Sequence, residues 1–256
     1  MFLAIGFVII FSRPVKAAAN GVQLKANRTY TAYDVTGDGM KDKIRIRAAN
    51  QTDDEAYTSL TVSVNGKTAC RLKNTRFYNV IANIYTLKNG QPFLYLYAPA
   101  DNGDGPVCAL LKYTNGKFRK ALDFTEIMAG YGNHRIGEVT NLNGNKIVIT
   151  ESIVSYSLGI NAINFTYKYV NGKFVPTSRY GSYKEIYSTD GSSRYFTVNS
   201  DLPAYARPGA TAVNTTLKAG SLTKIIKCAL ISGKMYIQLE CDGEIYWIKA
   251  LENPPI

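Results

Sequence analysis

Oxygen-bearing side chains recur at alternate positions in the segment Asp34-Val-Thr36-Gly-Asp38-Gly39-Met40-Lys-Asp42. Asp34, Thr36, Asp38 and Asp42 occupy loop positions 1, 3, 5 and 9, with Gly39 at position 6. A hard cation such as calcium needs this kind of spacing. Alternate residues turn inward, the Met40 carbonyl supplies a further oxygen, and glycine permits the sharp turn. The bland alternative is an Asp/Gly turn held by side-chain-to-backbone hydrogen bonds. Position 12 is Arg45, and the strand-like Lys43-Ile-Arg-Ile-Arg47 follows, so the helix-flanked form of such a loop is excluded. Calcium at this loop is the expected cofactor, acting as a brace.

Nucleophilic chemistry has few materials to work with. His134, in Gly130-Tyr-Gly-Asn-His134-Arg, is the one imidazole in 256 residues, so any Ser-His or Cys-His arrangement must use it. Cys108 follows a Gly/Asp-rich stretch and reads as its most exposed thiol partner. No nucleophile-elbow or papain-type signature surrounds Cys108. A carboxylate pair drawn from Glu126, Glu138 and Glu151 is the other hydrolytic possibility, but nothing in the spacing brings two of them together. A hydrolase of wall peptide or glycan bonds is therefore the alternative reading, and a non-enzymatic protein the preferred one.

Elements that could position such residues are strands. Hydrophobic residues make up 46% of the chain, with 19 Tyr and 10 Phe against one Trp, and long amphipathic helical patterns are scarce. Asn65-Gly66, Asn115-Gly116 and Asn171-Gly172 each join alternating apolar/polar runs, and Asn-Gly is the preferred two-residue hairpin turn. Their regular spacing predicts three β-repeats over about 27–75, 77–122 and 127–180. Ala100 to Cys108 aligns with the Asp34 loop but has lost the oxygens at positions 1 and 9, as in a decayed copy. Three units are too few for a usual closed propeller, so an open propeller-like fold or a sandwich is expected.

Residues 183–193 read as a Ser/Gly-rich linker between a β-repeat domain (20–182) and a C-terminal domain (194–256) of five short strands. The C-terminal part resembles the bacterial Src-homology-3-like domains of secreted and wall-associated proteins. The resemblance rests on Leu202-Pro-Ala-Tyr205-Ala-Arg207-Pro208-Gly209, Leu217-Lys-Ala-Gly220, Lys234-Met-Tyr-Ile-Gln-Leu239 and Asp242-Gly-Glu-Ile-Tyr-Trp247-Ile248. Two departures are Met235, where an aromatic is common, and Tyr246, where glycine precedes the tryptophan. The resemblance implies a small β-barrel and binding of wall peptide or glycan, with Tyr205, Arg207, Tyr246 and Trp247 as ligand-binding candidates. The Asp34 loop is similar to the calcium loops of FG-GAP and related propeller repeats. The two-part chain resembles exported proteins of Gram-positive (Firmicutes) bacteria.

Export is also read from the first 19 residues, which have the apolar core (Phe2 to Phe11) and the small residues (Ala17 to Ala19) of a signal peptide. Arg13, Pro14 and Lys16 interrupt the run, so a membrane span is not expected, nor an anchor after cleavage. Export permits disulfides, with Cys228–Cys241 a possible hairpin pair; four free thiols (Cys70, Cys108, Cys228, Cys241) are the alternative. The net charge of +11 points to an anionic partner or simply to a basic surface. No helix-turn-helix, zinc-finger or RNA-stacking signature supports nucleic acid. The expected function is secreted, envelope-associated binding of wall polymer, wall peptide or a surface protein. A purely structural interaction module is a further alternative.

Overall fold

The computed structural model describes residues 21–101, 105–127, 134–155, 159–187 and 194–250. The expected signal-peptide segment, part of the 100–108 loop and most of the expected linker lie outside them. No helix among the described residues is long and apolar enough to cross a membrane.

Among the described residues nearly all regular structure is strand. After β1 (Gly21–Leu24), the first meander comprises β2 (Thr29–Tyr33), β3 (Asp42–Gln51), β4 (Tyr57–Val64) and β5 (Lys67–Phe77). The second comprises β6 (Ile81–Thr86), β7 (Pro92–Ala98), β8 (Val107–Thr114) and β9 (Lys117–Asp123). A single helical turn, α1 (Phe124–Ile127), precedes β10 (His134–Asn143), β11 (Lys146–Ser155), β12 (Gly159–Val170), β13 (Lys173–Pro176) and β14 (Tyr180–Tyr187). The C-terminal strands are β15 (Tyr195–Thr197), β16 (Leu202–Ala204), β17 (Thr215–Leu217), β18 (Leu222–Ile231), β19 (Lys234–Cys241) and β20 (Glu244–Lys249).

The three Asn-Gly turns behave as the local chemistry requires. Asn65, Asn115 and Asn171 have φ of 50°, 50° and 49°, each followed by a glycine at 79°, 78° and 87°. Two consecutive positive φ values match the right-handed twist of the flanking strands, so each pair closes a hairpin in register. Three antiparallel meanders result, each containing one Asn-Gly hairpin.

They stack in layers. The second sheet, ordered β1-β6-β7-β8-β9, is the middle one. Along β7, Leu94, Leu96 and Ala98 join one core with Ile44, Ile46, Leu60 and Val62 of the first sheet. The alternate residues Phe93, Tyr95 and Tyr97 join the other core with Ile149, Ile163 and Phe165 of the third. Strand alternation thus supplies both faces of a sheet buried on each side.

The C-terminal strands depart from the expected small barrel. Among the described residues no sheet closes on itself. Instead β14 pairs with β12 on one side and with β18 on the other, through Tyr180–Ala229 and Gly181–Cys228. The third sheet therefore runs β10-β11-β12-β14-β18-β19-β20 across the expected domain boundary. Residues 183–187, expected as linker, are the end of β14. The second core is shared in the same way, with Val198, Leu202, Ile225, Met235, Ile237 and Ile248 packed alongside residues of the first three-quarters of the chain.

Candidate functional site

The Asp34 loop is built mainly from its own N–H groups. Asp34 Oδ1 accepts from Gly37 N (2.6 Å) and Asp38 N (3.2 Å), and its Oδ2 accepts from Gly39 N (2.7 Å). Partial desolvation pushes the Asp34 carboxyl up, but these N–H groups and the Thr36 hydroxyl outweigh it and hold the group below the usual carboxylate range. Asp42, 1% exposed, accepts from Val35 N (2.7 Å) and Thr36 N (2.9 Å) and from the Asn65 side-chain amide (2.6 Å). Asp38 turns to Met40 N at 2.8 Å, and the Met40 side chain is exposed. The Thr36 hydroxyl stands 3.2 Å from Asp34 Oδ1 and 3.3 Å from Asp42 Oδ1, so two carboxylates flank one hydroxyl. Among the described residues no three Asp, Glu, His or Cys side chains converge with metal-ligand spacing. Asp34, Thr36 and Asp42 form the donor set that fits calcium in part, with Asp38 turned aside.

Cys108 is not in an exposed loop. The apolar run Val107-Cys-Ala-Leu-Leu111 is a strand of the middle sheet, and Cys108 is 4% exposed. Burial pushes its thiol up to about 12, opposite to what a nucleophile needs. It lies 3.4 Å from the Gly137 carbonyl and 3.7 Å from the Tyr95 hydroxyl. The side chain of His134 lies outside the described residues. The three glutamates are not brought together: Glu126 is exposed on α1, and Glu151 is wholly buried. Glu138 follows Gly137, which faces Glu151 in register, so alternation turns Glu138 to the other side of the sheet.

All four cysteines are free. Cys228 stands opposite Ile237, whereas Cys241 stands opposite Thr223. An offset of four to five residue steps along the strands separates the two thiols by roughly 13–16 Å, too far for a bridge.

The four ligand-binding candidates divide between two faces. Tyr246 packs against the inner core. Its neighbour Trp247 therefore points to the opposite side of the sheet, where it is only 5% exposed, and strand alternation alone rules out a groove containing both. Trp247 exchanges backbone hydrogen bonds with Tyr205 (2.7 and 2.9 Å), which puts these two side chains on the same outer face. Arg207 is exposed two residues further on, in the turn that follows.

The outer face also gathers residues that the sequence reading missed. Tyr180 stacks near Trp247, with ring centroids 6.0 Å apart. The Lys227 ammonium sits 4.7 Å from the Tyr180 ring and 6.0 Å from that of Trp247, and the Arg179 guanidinium lies 5.5 Å from Tyr180. Lys224 stands directly opposite Tyr195 and 5.7 Å from its ring. Tyr180 is 41% exposed and Tyr195 50%, large apolar surfaces for a solvent-facing sheet. The available signal was the alternation of Leu222, Lys224 and Lys227 against buried Thr223, Ile225 and Cys228. Reading residues 183–193 as a linker drew attention away from β14, the strand that carries Tyr180.

Comparison with protein-family models, with curated proteins and with solved structures finds no match for this chain.

Proposed function

We propose that the protein is an exported, non-catalytic binding protein of the cell envelope. Its ligand is a wall polymer, a wall peptide or a surface protein, held against the outer face of the third sheet. The observation that carries this reading is the gathering of exposed Tyr180 and Arg179 and half-buried Lys227 over the buried Trp247 ring on one face of the sheet. Aromatic rings offer flat apolar area at low entropic cost, and cations above them are attracted to the ring faces. Such a surface suits a ligand with both apolar faces and negative charge.

Calcium at the Asp34 loop belongs to the proposal as a brace. Two carboxylates flanking the Thr36 hydroxyl support it, and the low-lying Asp34 carboxyl keeps its charge throughout the neutral range.

Incubation with purified, insoluble wall sacculi tests the binding function. Tyr180→Ala and Lys227→Gln should each weaken co-sedimentation several-fold, while Lys88→Gln, at an exposed lysine elsewhere, should not. Release of soluble fragments by the wild type would overturn the non-catalytic part. Absence of co-sedimentation, or equal loss in all three variants, would overturn the binding part.

A further inference from the structure

The opposite end of the layered stack carries a second face of different chemistry. Along β3, Ile44, Ile46 and Ala48 point into the core, so Lys43, Arg45 and Arg47 point to solvent. The cross-strand registers extend this outer face into rows. Arg45 stands opposite Ser63, and Ser63 opposite Thr68; Arg47 stands opposite Thr61, and Thr61 opposite Arg71. Ala49, Ser59 and Lys73 form the next row. On the other flank Thr29 pairs with Arg45.

These rows hold four cations (Arg45, Arg47, Arg71 and Lys73) among small hydroxyl side chains, with neither a carboxylate nor an aromatic ring. All four cations are exposed. Among the described residues, none of them is in an ion pair; the ion pairs there join Arg76 to Asp54, Lys120 to Asp123 and Lys218 to Asp201. Cross-strand opposite charges are the ordinary way to stabilise an exposed sheet face. Here the partners are Ser and Thr, which leaves the like charges uncompensated on one flat surface. Arg45 and Arg47 repeat at about 6.8 Å along the strand, and Arg47 and Arg71 lie about 10 Å apart across it.

We propose that this outer face of the first sheet is a binding surface for a linear polyol-phosphate polymer laid across β3, β4 and β5. Guanidinium groups suit bidentate contact with phosphate oxygens, and the Ser and Thr hydroxyls donate to the same oxygens or to polyol hydroxyls. The repeat of cations matches a chain bearing one charge per short unit. Single-stranded nucleic acid is disfavoured because the rows offer no ring on which bases could stack. The surface is separate from the Tyr180–Trp247 face, and the two lie on different sheets.

The test uses the whole protein, poly(glycerol phosphate) as the probe and anisotropy or calorimetry as the readout. The variant Arg45→Gln/Arg47→Gln/Arg71→Gln/Lys73→Gln should lose at least tenfold in affinity. It should keep its melting temperature or raise it, since it removes repulsion. The charge-matched control Lys25→Gln/Lys88→Gln/Lys117→Gln/Lys234→Gln should lose no more than about twofold. The slope of log K against log salt should shrink by about 3 in the first variant, as expected for four lost phosphate contacts at about 0.7 each. Equal losses in both variants would reduce the effect to net charge and overturn the proposal. Tighter binding of an oligo-dT than of the polyol phosphate would overturn the assignment of partner, and no measurable binding of the probe would overturn the surface altogether.

Discussion

Glu151 stands directly opposite Gly137 on the neighbouring strand, and a Cβ added at Gly137 would collide with its Oε1 and with the Phe124 ring. The carboxyl is 0% exposed, and among the described residues neither oxygen has a hydrogen-bond partner. Its surroundings include the Cys108 thiol and the Tyr167 phenol, both pushed up by burial. Burial holds the Glu151 carboxyl well above its ordinary range, so it is protonated in the folded protein where the unfolded chain has already ionised. The sign follows: the folded state binds the extra proton, so this group's contribution to stability falls as pH rises above the unfolded value of about 4.3. The loss is about 1.4 kcal/mol per pH unit until the folded pKa is passed. Glu151→Gln should therefore be more stable than wild type at pH 7 and equal to it near pH 4. Denaturant titrations at several pH values check this, and parallel wild-type and variant curves would refute it.

Gly137→Ala should be damaging, because the obstructing groups are a buried ring and a buried carboxyl with nowhere to retreat. Overpacking of this kind costs about 1–3 kcal/mol. Thermal unfolding of the variant measures it.

Asp42 and Asn65 tie the loop to the first hairpin turn. Asn65 Oδ1 accepts from Lys43 N at 2.8 Å while its amide donates to Asp42. Asp42→Ala strands the Val35 and Thr36 N–H groups and should cost about 3 kcal/mol. Asn65→Ala loses both bonds and forces alanine to a φ of 50°, for about 1–2 kcal/mol. Asn65→Asp keeps the acceptor but sets a second carboxylate against Asp42, so its penalty should grow as pH rises through the carboxylate range. Chemical denaturation of the three variants orders these effects.

Calcium at the loop predicts a rise in melting temperature at millimolar metal, by native-state linkage. Asp34→Asn, which removes a charge from the donor set, should abolish the rise, whereas Asp38→Ala should leave it, because that side chain is exposed and caps only Met40 N. A wild-type melting temperature indifferent to calcium would remove the metal from the proposal.

What the sequence disclosed and what it hid divide along range of interaction. The Asn-Gly hairpins and the three meanders are local, set by turn residues and period-two patterning within about 50 residues. The loop at Asp34 is local too, and its own N–H groups answer the spacing of its oxygens. The pairing of Tyr180 and Gly181 with Ala229 and Cys228 is not, since it joins segments nearly fifty residues apart and leaves no trace in either. The same blindness misplaced Cys108, where alignment with the Asp34 loop outweighed the unbroken apolar run 107–111 that marks a strand buried on both faces. Tyr246 and Trp247 could have been separated from sequence alone, because adjacent strand residues face opposite ways. The acid-free rows of the first sheet needed the register of three strands, without which thirty basic residues look evenly spread.

Sharing of β14 between the two halves predicts one cooperative melting transition for the whole chain. A fragment ending at residue 193 would expose the β14 edge and lose Ile225, Cys228, Ile237, Leu239 and Ile248 from the common core. It should aggregate or bind a hydrophobic dye where the intact protein does not. Two resolved calorimetric transitions in the intact chain, with a soluble fragment, would show independent units instead.

The middle sheet has a consequence on the timescale of exchange. β7 is walled on one face by Ile44, Leu60 and Val62 and on the other by Ile149, Ile163 and Phe165, with β6 and β8 on its edges. No local opening can wet its amides without separating two cores at once. Deuterium should therefore reach Leu94 to Tyr97 only through global unfolding, making this strand the slowest clock in the molecule, while both outer faces remain free to breathe and to bind.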